Sequence, residues 1–125
     1  MTQIKKPISV QSRKQKGRGL QKHVVARILH YFPELKAQDV TSRSMGAAGE
    51  DVLLSPKATD MLPVAVECKF NKAMSIYKFY EQAITNANGF EPIVVIKQNH
   101  SKPLVLVDLD VFLALSKRAY NKEFK

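Results

Sequence analysis

The stretch Val64-Ala65-Val66-Glu67-Cys68-Lys69-Phe70 decides how this chain is read. Its apolar and β-branched residues mark a strand, and side chains on a strand alternate between faces. Val64, Val66, Cys68 and Phe70 therefore point one way, into a core, while Glu67 and Lys69 point the other. A carboxylate and an ammonium on a mostly apolar strand cost free energy unless they pair, stay hydrated or bind something. Two readings follow. One is a functional site; the other is a cross-strand salt bridge at a sheet edge, contributing about 1 kcal/mol or less.

Working outward, the 125 residues fit one domain with one core. No apolar run reaches the roughly 18 residues that span a bilayer, and the basic N-terminus lacks a signal-peptide core. The single cysteine, Cys68, can form no internal disulfide, which fits a reducing cytoplasm. The net charge is +9, and its distribution says more than its total. Lys5, Lys6, Arg13, Lys14, Lys16, Arg18 and Lys22 all fall within residues 1–22, where there is no acid. A basic N-terminal arm, residues 1–18, is expected to precede a near-neutral domain at 19–125. Such an arm suits a polyanion, nucleic acid first, or serves only solubility. Membrane-surface binding is disfavoured, because residues 1–19 hold few large apolar groups to insert.

The pattern turns helical at Gly19, with Leu20, Val24, Val25, Ile28, Leu29 and Phe32 on one stripe until Pro33. A short strand is expected at 36–43, a small-residue loop at 44–49, a strand at 51–54 and a turn at 55–62. The decisive strand follows at 63–70. A second helix at 75–88 stacks Ile76, Phe79, Ala83 and Ala87 and stops at Asn88-Gly89. Strands at 92–97 and 103–107 precede a last helix capped by Asp108 or Asp110, with Val111, Phe112 and Leu115 packing inward. The order α-β-β-β-α-β-β-α defines an α/β domain with a mixed sheet.

An antiparallel hairpin would set Asp51 beside Glu67. Two carboxylates converging from neighbouring strands make a hard, oxygen-rich site suited to Mg²⁺ or Mn²⁺. Such a metal polarises a phosphate and acidifies a bound water, while a neighbouring lysine orients that water. By itself, D-x(n)-E-x-K with a free gap is a weak motif. No Cys/His cluster points to zinc, and without a GxxxxGK[ST] loop no nucleotide cofactor is expected.

The order of these residues resembles the PD-(D/E)xK nuclease superfamily, whose restriction-endonuclease-like core runs α-β-β-β-α-β. Glu50-Asp51 stands where that family often has Pro-Asp, and Glu67-Cys68-Lys69 supplies the ExK. The chain is most similar to the archaeal Holliday junction resolvases and related small phage nucleases. Lys16-Gly17-Arg18-Gly19-Leu20-Gln21 resembles their Lys-Gly-x-x-Ala-Glu helix start, and Arg43-Ser44-Met45-Gly46 their Arg-Ser-x-Gly loop. The likeness covers roughly residues 16 to 107, at the level of motif order.

The resemblance implies a metal-dependent DNA endonuclease acting on branched DNA in the cytoplasm of a bacterium, archaeon or phage-infected cell. Asp51, Glu67, Lys69 and Gln21 would form the catalytic set, with Asp51 and Glu67 on Mg²⁺ and Mn²⁺ able to substitute. Arg43, Ser44, Lys14, Lys16, Arg18 and Lys22 would contact DNA. Symmetric cutting of two strands implies a homodimer, with Val111, Leu115 and Phe112 of the last helix as a candidate partner surface. One departure matters: Gln21 replaces the family's glutamate and removes a negative charge. It keeps two rivals open, a same-fold nuclease for linear or single-stranded DNA and a DNA-binding protein without catalysis. Gln82 reads as a solvated helix position.

Overall fold

A computed structural model describes residues 10–44 and 47–123 of the chain. The decisive stretch is β3 (Val64–Phe70), the middle strand of five in a mixed sheet ordered β1-β2-β3-β4-β5. Residues 64 to 68 of β3 are all buried, a run produced by helices covering both sheet faces. β1 (Val40–Ser42), β2 (Val52–Leu54) and β3 form an antiparallel meander. β4 (Glu91–Lys97) runs parallel to β3, and the crossover that this requires carries α3 (Ile76–Asn86). β5 (Leu104–Val107) returns antiparallel and forms one edge.

Strand alternation divides the core. Val64, Val66 and Cys68 join Val52 and Val95 beneath α1 (Val10–Tyr31), against Leu20, Val24, Val25, Ile28 and Leu29. On the opposite face Val94 packs with Phe79 and Ala83 of α3. Truncating fully buried Val66 to Ala should cost roughly 1–2 kcal/mol. Asn88 (φ 50°) and Gly89 (φ 89°) take left-handed backbone just after α3 and end it where expected.

Four local expectations are corrected. The first helix begins at Val10, not at Gly19, so residues 10–18 belong to the helix; the rest of the expected arm, with Lys5 and Lys6, lies outside the described residues. Arg, Lys and Gln are good helix formers, and a solvent-facing helical extension needs no apolar period. Residues 36–43 form a 3₁₀ turn (Ala37–Asp39) followed by the three-residue β1. The expected turn at 55–62 is helix α2 (Pro56–Met61). Pro56 occupies its first turn, and the Ser55 hydroxyl accepts from Ala58 N at 3.1 Å while donating to Asp39 Oδ1 at 2.7 Å. Finally, α4 (Leu109–Glu123) turns Val111 and Leu115 inward but leaves Phe112 54% exposed. No helix among the described residues is long and apolar enough to cross a membrane.

Candidate active site and nucleic-acid cleft

Among the described residues, Gln21 and Glu67 are the polar side chains that the fold buries, at 5% and 4% exposure. Both line one cleft of about 350 Å³, together with Asp51, Lys69, the 47–49 loop and the α3 residues Gln82 and Asn86. The sheet register creates this meeting. Val52 of β2 stands opposite Val66 of β3, which brings the residue before β2 alongside Glu67 and Cys68. Asp51 N donates to Val66 O at 2.9 Å, and Cys68 N donates to Asp51 Oδ2 at 2.8 Å. Arg43 N donates to Asp51 O at 2.8 Å from the other side. One carboxylate oxygen of Asp51 is thus fixed by backbone, and Asp51 lines the same cleft as Glu67.

Glu67 lies opposite Val94 in the parallel ladder, on the α3 side of the sheet. Asn86 Nδ2 donates to Glu67 Oε2 at 3.1 Å, and Lys69 Nζ lies 3.7 Å from Glu67 Oε1. The ammonium also sits 5.7 Å from the Phe79 ring centroid. Burial and then the neighbouring Asp51 charge push the Glu67 carboxyl up to about 7; the Asn86 hydrogen bond and Lys69 oppose that rise. Burying the Glu67 carboxylate beside Asp51 is unfavourable, and a proton or a cation on Glu67 relieves that cost. Burial, with Asp51 and Glu67 nearby, pushes the Cys68 thiol up, so it stays protonated and packs as a small apolar group.

No group of three or more His, Cys, Asp and Glu side chains poised to hold a metal occurs among the described residues. The donors that do converge are Asp51, Glu67 and the Gln21 amide, whose Oε1 is buried. This oxygen set fits Mg²⁺, which is held through one or two carboxylates and keeps several waters. It offers zinc no imidazole, since no histidine lines the cleft, and the Cys68 side chain belongs to the α1-side core.

A second cleft, also about 350 Å³, is lined by Arg18, Lys22, Ser42, Arg43 and Ser44. Ser44 lines both clefts, so a basic groove adjoins the acidic one. Lys14, Arg18 and Lys22 recur every four residues along one side of α1, all exposed. Like charges at that spacing repel, at a cost of about 0.2–0.5 kcal/mol per pair, and an anion on the ridge reverses the sign. Arg43 is more constrained. Its Nε donates to Glu50 O at 2.6 Å and its Nη2 lies 3.5 Å from Glu50 Oε1, which latches the loop that leads into Asp51. Lys16 Nζ donates to Asn99 Oδ1 at 2.9 Å and stands over Phe70, tying α1 to the β4–β5 turn. Met45 and Gly46 of the loop motif lie outside the described residues.

The structure therefore brings Asp51, Glu67, Lys69 and Gln21 into one cleft, and Arg18, Lys22, Arg43 and Ser44 around its neighbour. Lys14 and Lys16 line neither cleft. Gln82, read from sequence as merely solvated, is exposed but forms part of the acidic cleft wall. Asn86 went unnoticed in the sequence. Its signal was a polar pair, Gln82 and Asn86, at i and i+4, each one residue before a buried alanine, Ala83 or Ala87. No protein-family model matches the chain, and no curated protein or solved structure matches it either.

Proposed function

We propose that this protein is a metal-dependent DNA endonuclease that hydrolyses phosphodiester bonds, with branched DNA as its substrate. The observation that carries this reading is the convergence of the two buried polar side chains, Gln21 and Glu67, with Asp51 and Lys69 in one cleft beside a cleft of opposite charge. The element order α1, β1–β3, α3, β4 is in keeping with the restriction-endonuclease-like core that the motif order implies. Asp51 and Glu67 would hold Mg²⁺ or Mn²⁺, and Gln21 would add a neutral oxygen or hold a water. When bound, the cation polarises the scissile phosphate and acidifies a coordinated water. Lys69, close to Glu67, orients the attacking water and offsets charge growing on the phosphate oxygens. Asn86 keeps Glu67 in place for this work. Arg18, Lys22 and Ser44 seat the adjoining backbone.

Cleavage of labelled four-way junctions, linear duplexes and single strands with Mg²⁺ tests the proposal, with Glu67→Ala as control. Cutting of junctions that Glu67→Ala abolishes is the expected result. Cutting of linear or single-stranded DNA would keep the chemistry and change the substrate. Gln21, a neutral amide beside Asp51 and Glu67 in the cleft, favours a second reading of DNA binding without cleavage. Tight binding with no cutting of any substrate would establish that reading instead.

A further inference from the structure

Two ammonium groups meet at one phenyl ring at the C-terminal ends of β3 and β4. Phe70 closes β3 and stands opposite Lys97, which closes β4. Lys97 Nζ lies 5.1 Å from the Phe70 ring centroid, and Lys16 Nζ, reaching in from α1, lies 5.5 Å from it. Lys97 Nζ donates to Ser101 O at 2.6 Å and to Gln98 O at 3.2 Å, while Lys16 Nζ donates to Asn99 Oδ1 at 2.9 Å. Both heads are thus fixed against the β4–β5 turn, and neither enters an ion pair among the described residues. An ammonium has three N–H donors, so each keeps at least one beyond these contacts.

The segments that meet there hold no acid: residues 10–33, 68–80 and 92–107 contain neither Asp nor Glu. Lys72, whose carbonyl accepts from Gln98 Nε2 at 2.8 Å, is exposed on the same rim, as are His100 and Lys102 of the turn. Gathering like charges without a carboxylate is unfavourable. Cation–π attraction of about 0.5–1 kcal/mol per contact offsets that in part, and a bound anion reverses it.

The position of the cluster identifies the anion. Lys16 precedes Gly17 and Phe70 follows Lys69, and both Gly17 and Lys69 line the acidic cleft. Two residues along α1 turn by about 200°, so Lys16 and Arg18 project from opposite flanks of the helix. In the sheet order, Ser42 and Arg43 of the basic cleft stand at the β1 end, Asp51 and Glu67 at β2 and β3, and Lys97 beyond them on β4. Cations therefore flank the carboxylates on two sides, about 14 Å apart across three strand spacings. One small anion cannot reach both, whereas a nucleic-acid strand with a phosphate every ~3.4 Å can. We propose that Lys16 and Lys97, set on Phe70, form a second phosphate site, so that a DNA backbone crosses the acidic cleft and is held on both sides of the bond to be cut. This rests on the DNA-cleaving function proposed above and adds that the substrate strand is continuous through the site. A strand end seated on the basic cleft alone lacks the second hold.

Salt titrations of DNA affinity in EDTA, where no metal supports cutting, test the second site apart from the chemistry. On a four-way junction and a linear duplex, Lys16→Gln with Lys97→Gln should flatten the slope of log affinity against log salt by nearly two. Lys16→Arg with Lys97→Arg should keep the wild-type slope, since both charges remain. Adding Arg18→Ala and Lys22→Ala to the glutamine pair should flatten the slope about twice as far, because both sides hold one DNA at once. If thermal unfolding shows that the glutamine pair does not fold, Lys16→Gln alone should lower the slope by about 0.9. A wild-type slope in the folded glutamine variant, or a four-residue variant no flatter than either pair, overturns the proposal. No DNA binding by wild type would overturn it too. Wild type that binds with the expected slopes yet cuts nothing with Mg²⁺ would sink the nuclease function and leave the two-sided hold on DNA standing.

Discussion

The two clefts that share Ser44 have similar volumes and opposite construction. The acidic one is built on the buried middle strand, where Asp51, Glu67 and Asn86 are held by hydrogen bonds of 2.8 to 3.1 Å. The basic one takes its cations from the exposed Arg18 and Lys22 of α1 and from Arg43, which is held by Glu50. Fixed, desolvated donors suit bond-making, where a small displacement is costly. Exposed, solvated cations suit a polyanion whose phosphates can be met in several ways. The contrast assigns chemistry to one cleft and affinity to the other, and substitutions should separate them.

The largest effect falls on the acidic side. Asp51→Asn and Lys69→Ala should each lower the cleavage rate by about 10²–10⁴-fold and leave DNA affinity within a few-fold of wild type. Gel-shift titrations beside single-turnover cleavage would show it, and intact cleavage in either variant would remove that residue from the site. A double Arg18→Ala, Lys22→Ala variant should do the converse. Each lost phosphate contact reduces the slope of log affinity against log salt by about 0.9, so the pair should flatten it by nearly two. Cleavage at saturating DNA should be unchanged. If it falls as far as in Asp51→Asn, the two clefts do not divide the work.

The same contrast explains what was legible in the sequence. Glu67 and Lys69 stood out because a charged pair interrupts an apolar run, and Asp51 followed from hairpin geometry. The five-stranded mixed sheet with flanking helices was equally readable, since β3 and β4 are strongly patterned. The basic cleft was less so. Arg18 was expected in an irregular arm, because the first half of α1 shows no apolar period, whereas Lys22 fell within the expected helix. Arg43 was expected to meet phosphate, but its latch on Glu50 depends on a loop conformation that local spacing does not encode. Asn86 is comparable: its role requires the tertiary contact of α3 with β3.

Glu67 gives a test of the acidic cleft that needs no DNA. Its usual value of 4.5 holds in the unfolded chain, and burial beside Asp51 raises it to about 7 in the fold. Between those limits the folded chain holds a proton that the unfolded chain has released. Stability should therefore be greatest below pH 4.5 as far as this group is concerned, fall as pH rises through about 7, and level off above. The loss is on the order of 2 kcal/mol and is read as a falling denaturant midpoint. Glu67→Gln should remove the slope. Saturating Mg²⁺ should flatten it as well, because a cation takes the proton's place between the carboxylates. A slope that survives Glu67→Gln would mean that another group carries the titration.

The smallest effect joins the two clefts. Gly49 has φ 108°, a backbone conformation unfavourable to side chains, and an added Cβ would lie 2.9 Å from an Arg43 guanidinium nitrogen. Gly49→Ala should therefore cost about 1–2 kcal/mol and force Arg43 off Glu50. Releasing Arg43 loosens the loop into Asp51 while freeing a cation at the basic cleft. The two consequences have opposite signs. Cleavage should slow, because the carboxylate is less well placed, while DNA affinity at low salt should hold or rise slightly. If affinity falls together with the rate, Arg43 contacts DNA through its latched conformation, and its place is with the fixed groups and not with the exposed cations of α1.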